Sequence, residues 1–320
     1  MDDESNGWQL TESDPGVFTE LLKTLGVKLV VDDLYSLDTE TLSTLQPIHA
    51  LIFLFKWVSN QDERGGGSGT YDDAFPGFFA HQVVNNACAT LAVLNALLNI
   101  PALKTGPELQ DLLSFTTGMD AQTRGLAITS SGFLREAHNA LSPPSAISLD
   151  GLHVPKTSEE AYHFVVYLPV AGSVYELDGL KRSPVRHGAH SDGGEGWTSK
   201  AREIIEARIA TYPPGSLAFN LMAIHDDSLP HLQAHLRAAQ SAGDDFVTAE
   251  LASMISQEND KRMRWAFENS LRRHNHVGLV HALTLALAKA GLLGSVTDQA
   301  KTKLKERIEK IRKDGKMEEH

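Results

Sequence analysis

A chain of 320 residues with a single cysteine, Cys88, cannot be held together by disulfides or by a thiolate metal cluster, so its fold must rest on packed apolar side chains. At this length, with 42% apolar residues, it can bury a sizeable core in one large or two ordinary domains. The strongest apolar run, Ile48 to Val58, includes His49 and Lys56 and is far shorter than the roughly 18 residues of a spanning helix. That run reads as a core strand, and no membrane segment is expected. The opening Met1-Asp2-Asp3-Glu4-Ser5-Asn6 lacks the character of a secretory signal. A net charge of -12 argues against nucleic acid as a bulk partner. A soluble intracellular protein with its thiol reduced is the expectation.

The first helix is marked by Asp14 as cap, Pro15 in its first turn, Val17, Phe18, Leu21, Leu22 and Leu25 at helical spacing, and Gly26 as its stop. Val27 to Val31 and Ile48 to Trp57 read as strands of one central sheet. Gln61 to Thr70 is a solvated glycine-rich loop without the Gly-Lys-Ser/Thr ending of a phosphate loop. The Ala- and Leu-rich run after Cys88 predicts a helix that ends against Pro101, with Asn86 as its cap and Cys88 in its first turn. Further helices are expected at 106–117 and 130–140. Leu141 to Glu160 has two adjacent prolines and no period, which reads as a long surface loop. Tyr162 to Leu168 and Ser173 to Asp178 form a hairpin, Arg202 to Tyr212 a helix, and Leu217 to Ile224 a last core strand. Beyond Asp226 the pattern is helical over 229–242, 246–274 and 278–293, which places a boundary near 226. Lys301 to Lys313 is a basic amphipathic helix or tail.

The lone thiol is either buried filler or a nucleophile. The start of a helix favours negative charge, which is what a thiolate needs. Thiol catalysis also needs a histidine to move the proton and a third group to orient the ring. His163 and Asp178 lie on the two strands of the hairpin. A four-residue turn over Pro169 to Gly172 sets them directly opposite, while a two-residue Ala171-Gly172 turn makes them diagonal neighbours on one face. Either register lets them meet. Gln82 and the Cys88 N–H are candidate donors to a tetrahedral oxyanion. Each residue has an ordinary alternative: His163 as a core histidine, Asp178 as a strand-end turn residue before Gly179, His81 and Asn85 as hydrogen-bonding groups near the helix start. The combination favours catalysis and leaves the substrate open. His231 and His235 stand four apart on a predicted helix but lack a following glutamate and a third ligand, so no metal site is expected there.

Gln82-Val83-Val84-Asn85-Asn86-Ala87-Cys88-Ala89-Thr90, His163-Phe164 and Tyr175-Glu176-Leu177-Asp178-Gly179 together resemble the ubiquitin C-terminal hydrolases, cysteine deubiquitinases of papain-like fold. The opening Trp8 to Phe18 and the strand Leu51 to Trp57 are similar to that family as well. The resemblance implies an α/β (α+β) catalytic domain over 7–226, with a central antiparallel sheet flanked by helices, and an all-α extension over 227–320. It implies Cys88 as nucleophile, His163 as general base and acid, Asp178 as orienting carboxylate, Gln82 as oxyanion donor, and no cofactor. It also implies that the loop at about 141–160 crosses over the site and filters what reaches it. Arg272 to Leu292 and the lysine-rich tail look like the extension of the long, proteasome-associated branch. That likeness implies binding to a proteasomal ubiquitin receptor and, in some organisms, to a subunit of a chromatin-remodelling complex, with residence in cytoplasm and nucleus. A catalytically silent ubiquitin-binding adaptor and a small-molecule thiol amidase are the competing readings.

Overall fold

The computed structural model describes residues 7–56, 69–142, 162–191, 193, 195–212, 219–274 and 276–303. Its framework is a seven-stranded sheet of β1 (Leu29–Asp33), β2 (Ile48–Lys56), β3 (Thr70–Tyr71), β4 (Tyr162–Val170), β5 (Ser173–Leu177), β6 (Val185–Ala189) and β7 (Phe219–Asp226). The strands lie in the order β1-β7-β2-β4-β5-β6-β3, and every neighbouring pair is antiparallel. β2 is apolar from Ala50 to Phe55 because both of its faces are covered. Ala50 and Ile52 join the cluster that includes residues of helices α1 (Pro15–Thr24) and α3 (Cys88–Leu97), while Leu51, Phe53 and Phe55 join one with Ala201, Ile204 and Ile205 of α7 (Trp197–Ile209). This is the mixed α/β architecture, an antiparallel sheet between helices, that the family resemblance implies.

The helix starts follow local chemistry. Asp14 Oδ1 accepts from Val17 N–H at 3.0 Å, as the cap signal predicts, and Leu21 and Leu22 are buried beneath α1. In α3 every residue from Ala89 to Leu97 is buried, which is why this helix is apolar all round. The hairpin of β4 and β5 takes the two-residue turn. Val170 pairs with Ser173, and Ala171 and Gly172 have φ of 46° and 75°, the two left-handed residues of a type I′ turn. His163 and Asp178 are therefore diagonal neighbours rather than opposite. The β4–β5 ladder ends at the pair Val166 and Leu177, and His163 and Asp178 lie just beyond it.

Between α3 and β4 lie α4 (Pro107–Phe115), α5 (Ala121–Ser130) and α6 (Gly132–Asn139). The predicted helices at 106–117 and 130–140 are α4 and α6. α5 is not visible in the hydrophobic pattern, since Gly125 and its polar neighbours speak against a helix. A Cβ at Gly125 would stand 2.1 Å from the His81 carbonyl oxygen, so close packing on the 81–82 backbone selects glycine there. β3 and β6 were likewise not expected. The loop predicted over 141–160 falls mostly on residues outside the described ones, as do most of the glycine-rich loop and most of the basic tail.

After β7 the described chain is helical: α2 (Thr39–Thr44) is far upstream, and α8 (Ser228–Ala242), α9 (Asp245–Arg273) and α10 (Val277–Lys289) follow in turn. The described residues up to Arg273 form one compact unit and those from His274 on form a second. α9 is therefore built onto the sheet-bearing unit. Its Trp265 fills the space over Gly16, where a Cβ would come within 2.7 Å of the indole, and Asn269 Nδ2 donates to the Gly16 carbonyl at 3.0 Å. Lys261 Nζ bonds both Asp32 carboxylate oxygens at 2.9 Å. Among the described residues no single helix is long and apolar enough to cross a membrane.

Candidate active site

Cys88 opens α3, and the backbone leading to it is clamped by that same helix. Asn95 accepts from Ala80 N–H at 2.9 Å and donates to the Ala80 carbonyl at 3.2 Å. One turn on, Asn99 does the same for Phe78, at 2.8 and 2.7 Å. Asn95 in α3 and Asn99 just past its end thus act as surrogate strand partners for residues 78–80. Gln82 N–H then donates to the Gly179 carbonyl at 2.8 Å, tying this segment to the turn that follows Asp178. The close approach favours glycine at 179, since a Cβ there would lie 3.0 Å from Gln82 N, tighter than an ordinary van der Waals contact. Gln82, Val83, Val84, Asn85 and Leu180 line an open cleft of about 370 Å³. The Gln82 Oε1 atom is buried with no hydrogen-bond partner, the kind of unsatisfied group that functional sites retain.

His163 and Asp178 are 4% and 1% exposed, and His163 Nε2–H donates to Asp178 Oδ1 at 2.7 Å. The same oxygen accepts from Leu180 N–H at 2.9 Å, which fixes the carboxylate, while Oδ2 is buried without a partner. Phe55 meets the His163 ring edge-on, with centroids 5.8 Å apart. With Nε2 committed to Asp178, the other ring nitrogen is the one left for the Cys88 thiol, whose hydrogen bond also acts on the imidazole. Burial opposes a charged ring, but the Asp178 carboxylate and then Cys88 outweigh it and push His163 from 6.5 up to about 9. The structure thus brings Cys88, His163 and Asp178 together, with Gln82 held to the adjoining turn.

That shift makes a prediction about stability. Below about pH 6.5 the folded and unfolded chains both carry the proton and the group contributes fully; between 6.5 and 9 only the folded chain keeps it. The unfolding free energy is expected to fall by about 3 kcal/mol over that interval through this group. Urea unfolding at a series of pH values measures it, and His163→Gln should flatten that limb. An unchanged limb in the variant would assign the dependence to other groups.

Two expectations about this region change. Asn86 is not the cap of α3: the cap position is Ala87, which makes no side-chain bond. The Asn86 amide is used elsewhere, donating to the Trp8 carbonyl at 3.1 Å, and its φ is 66°. The first-turn N–H groups of α3 consequently have no side-chain cap, which suits an anion at the helix start. The second change concerns residues the sequence pattern did not single out. Asn95 stood in plain view as a polar break in an apolar helix, and Asn99 just past its end. Among the described residues no group of three or more His, Cys, Asp or Glu side chains clusters as a metal site.

Comparison with known proteins gives one consistent result. Residues 8–210 match the family model described as ubiquitin carboxyl-terminal hydrolase, family 1, and residues 248–293 match one described as ubiquitin carboxyl-terminal hydrolases. The chain is 39% identical to ubiquitin carboxyl-terminal hydrolase 2 of Schizosaccharomyces pombe, over 88% of this chain and 91% of the relative. It is 37% identical to ubiquitin carboxyl-terminal hydrolase ubh-4 of Caenorhabditis elegans, over 95% and 94%. The crystal structure of Trichinella spiralis UCH37 bound to ubiquitin vinyl methyl ester superposes with a TM-score of 0.66 at 36% identity, covering 81% of this chain and 99% of that one. The chain belongs to the ubiquitin carboxyl-terminal hydrolases of family 1 and is a cysteine-type deubiquitinase.

Proposed function

We propose that Cys88 attacks the carbonyl carbon at the C-terminus of ubiquitin, in an isopeptide, peptide or small amide or ester bond. The observation that carries this reading is the buried His163–Asp178 pair with the thiol hydrogen-bonded to the same imidazole. The imidazole holds the thiol proton, so the thiolate adds to the carbonyl and a tetrahedral oxyanion forms. The Gln82 side-chain amide and the Cys88 N–H donate to that oxygen. As the intermediate collapses, the carbon–nitrogen bond breaks, the imidazolium gives its proton to the leaving amine, and a thioester remains. His163 then takes a proton from water, whose oxygen bonds to the thioester carbon; the carbon–sulfur bond breaks, the imidazolium returns that proton to Cys88 Sγ, and the product acid leaves, losing its own proton to solvent. Asp178 holds the ring in one orientation and supports its positive state throughout.

The same proposal extends to partners. Residues 227–320 bind a proteasomal ubiquitin receptor, and a chromatin-remodelling subunit is a second partner, with the protein acting in cytoplasm and nucleus. The match of residues 248–293 to the family's C-terminal model supports this reading, as do Leu279 and Leu283 of α10, exposed at 58% and 55%. One experiment covers both levels. A ubiquitin probe with an electrophilic C-terminus should label the full chain, Cys88→Ala should not be labelled, and an added receptor domain should change the labelling rate. Folded wild-type chain that stays unlabelled would favour the adaptor reading, and a rate indifferent to the receptor would remove the role given to the extension.

A further inference from the structure

We propose that Asn86 is a positioning residue for the reaction at Cys88, and that the segment Gly7–Thr11 is the fixed surface against which it is set. This inference rests on the reading of Cys88 as nucleophile and of Gln82 and the Cys88 N–H as oxyanion donors. Asn86 lies between those two donors in the chain and is one of three non-glycine residues with positive φ among the described residues. Its left-handed backbone turns the chain sharply from the Gln82 segment into α3, with only Ala87 between it and Cys88. Asparagine tolerates that conformation better than other side chains do. Here the conformation is also held from outside, by the amide bond to the Trp8 carbonyl at 3.1 Å.

The surface that receives this bond is itself anchored beside the thiol. His138 is buried, which favours its neutral form, and it donates from Nε2–H to the Gln9 carbonyl at 2.7 Å, a group that can only accept, which leaves Nδ1 bare. Nδ1 then accepts from the Thr90 hydroxyl at 2.8 Å, and Thr90 stands two residues beyond Cys88. The neighbouring Asn139 donates to the Gly7 carbonyl at 2.8 Å and accepts from Gln9 N–H at 3.0 Å. Residues 7–11 are thus tied to the chain on both sides of Cys88, directly through Asn86 before it and by way of His138 to Thr90 after it. None of these bonds involves His163 or Asp178. The device therefore bears on where the oxyanion donors point, and leaves thiol activation to the imidazole.

The test compares Asn86→Ala and Asn86→Gly with the full-length parent on a ubiquitin C-terminal amide, alongside iodoacetamide alkylation of the single cysteine, which needs no oxyanion donor. Alanine disfavours the left-handed conformation and lacks the amide, so kcat should fall by about 10-fold or more, with KM and alkylation rate within about twofold of the parent. Glycine adopts that conformation freely and should restore kcat to within about threefold of the parent. Equal losses in the two variants, a parental kcat in Asn86→Ala, or a parallel drop in alkylation would each overturn the positioning role. Cys88→Ser is measured beside them: parental turnover in that variant would instead bring down the underlying reading of the site.

Discussion

Replacing Cys88 or His163 with alanine is expected to lower turnover of a ubiquitin C-terminal amide by about 10⁵–10⁶-fold in either case, and replacing both is expected to cost no more than either alone. The reason is that the two side chains make one chemical unit. His163 is of use to the first step only as the holder of the Cys88 proton, and Cys88 is a strong nucleophile only while that proton is held. Once one is gone the other has nothing left to contribute, so the losses do not multiply. What remains comes from substrate binding and the oxyanion donors, which on their own retain catalysis roughly 10³–10⁴-fold over water. His163→Gln belongs in the set because His163 is 4% exposed, and alanine there would open a cavity whose structural cost could be mistaken for a chemical one. A double variant whose loss equals the product of the single losses would mean that the residues act independently, and the thiol–imidazole unit would have to be abandoned.

Much of this site was legible because its parts are local. A helix start follows from a run of Ala and Leu, and a hairpin face follows from counting residues, so Cys88, His163 and Asp178 could be placed before any coordinates. The register of the hairpin could not, because the two-residue turn puts Ala171 at φ 46°, where alanine is an unusual choice and gives no turn signal. Asn86 shows the opposite failure. Its position before an apolar helix is a strong cap signal, but a partner 78 residues away, the Trp8 carbonyl, takes its side chain. α5 was hidden for a related reason, since Gly125 is selected by the backbone it packs on and not by the helix that contains it. Contacts made at long range overrule propensity in each case.

The second large effect is expected at Glu176 of β5, two residues before Asp178. Its carboxylate is buried at 3% exposure and receives Lys181 Nζ at 2.6 Å, Arg208 Nη1 at 3.0 Å and the Tyr167 hydroxyl at 3.2 Å. Burial alone would raise its pKa, but Arg208 and Lys181 hold it well below the ordinary value of 4.5. Its contribution to stability is therefore complete above about pH 4.5 and is lost as acid protonates the folded carboxylate. Glu176→Ala leaves two buried cations without their anion, and a broken buried pair of this kind costs about 3–5 kcal/mol. For a compact unit of this size that corresponds to a loss of roughly 10 °C in Tm. Glu176→Gln keeps the volume and some of the hydrogen bonding and should fall between alanine and the parent, whereas exchanging Glu176, Lys181 and Arg208 together for apolar residues of similar volume should be far milder than the single alanine. The disturbance would also start beside the catalytic pair. Lys181 N–H donates to the Asp178 carbonyl at 3.0 Å, and the Arg208 guanidinium lies 4.1 Å from the centre of the Phe55 ring on which His163 rests. Thermal unfolding of the three variants, followed together with probe labelling, separates these roles: a parental Tm in Glu176→Ala would show that the cluster is solvated in practice and that its buried charges do not hold the fold.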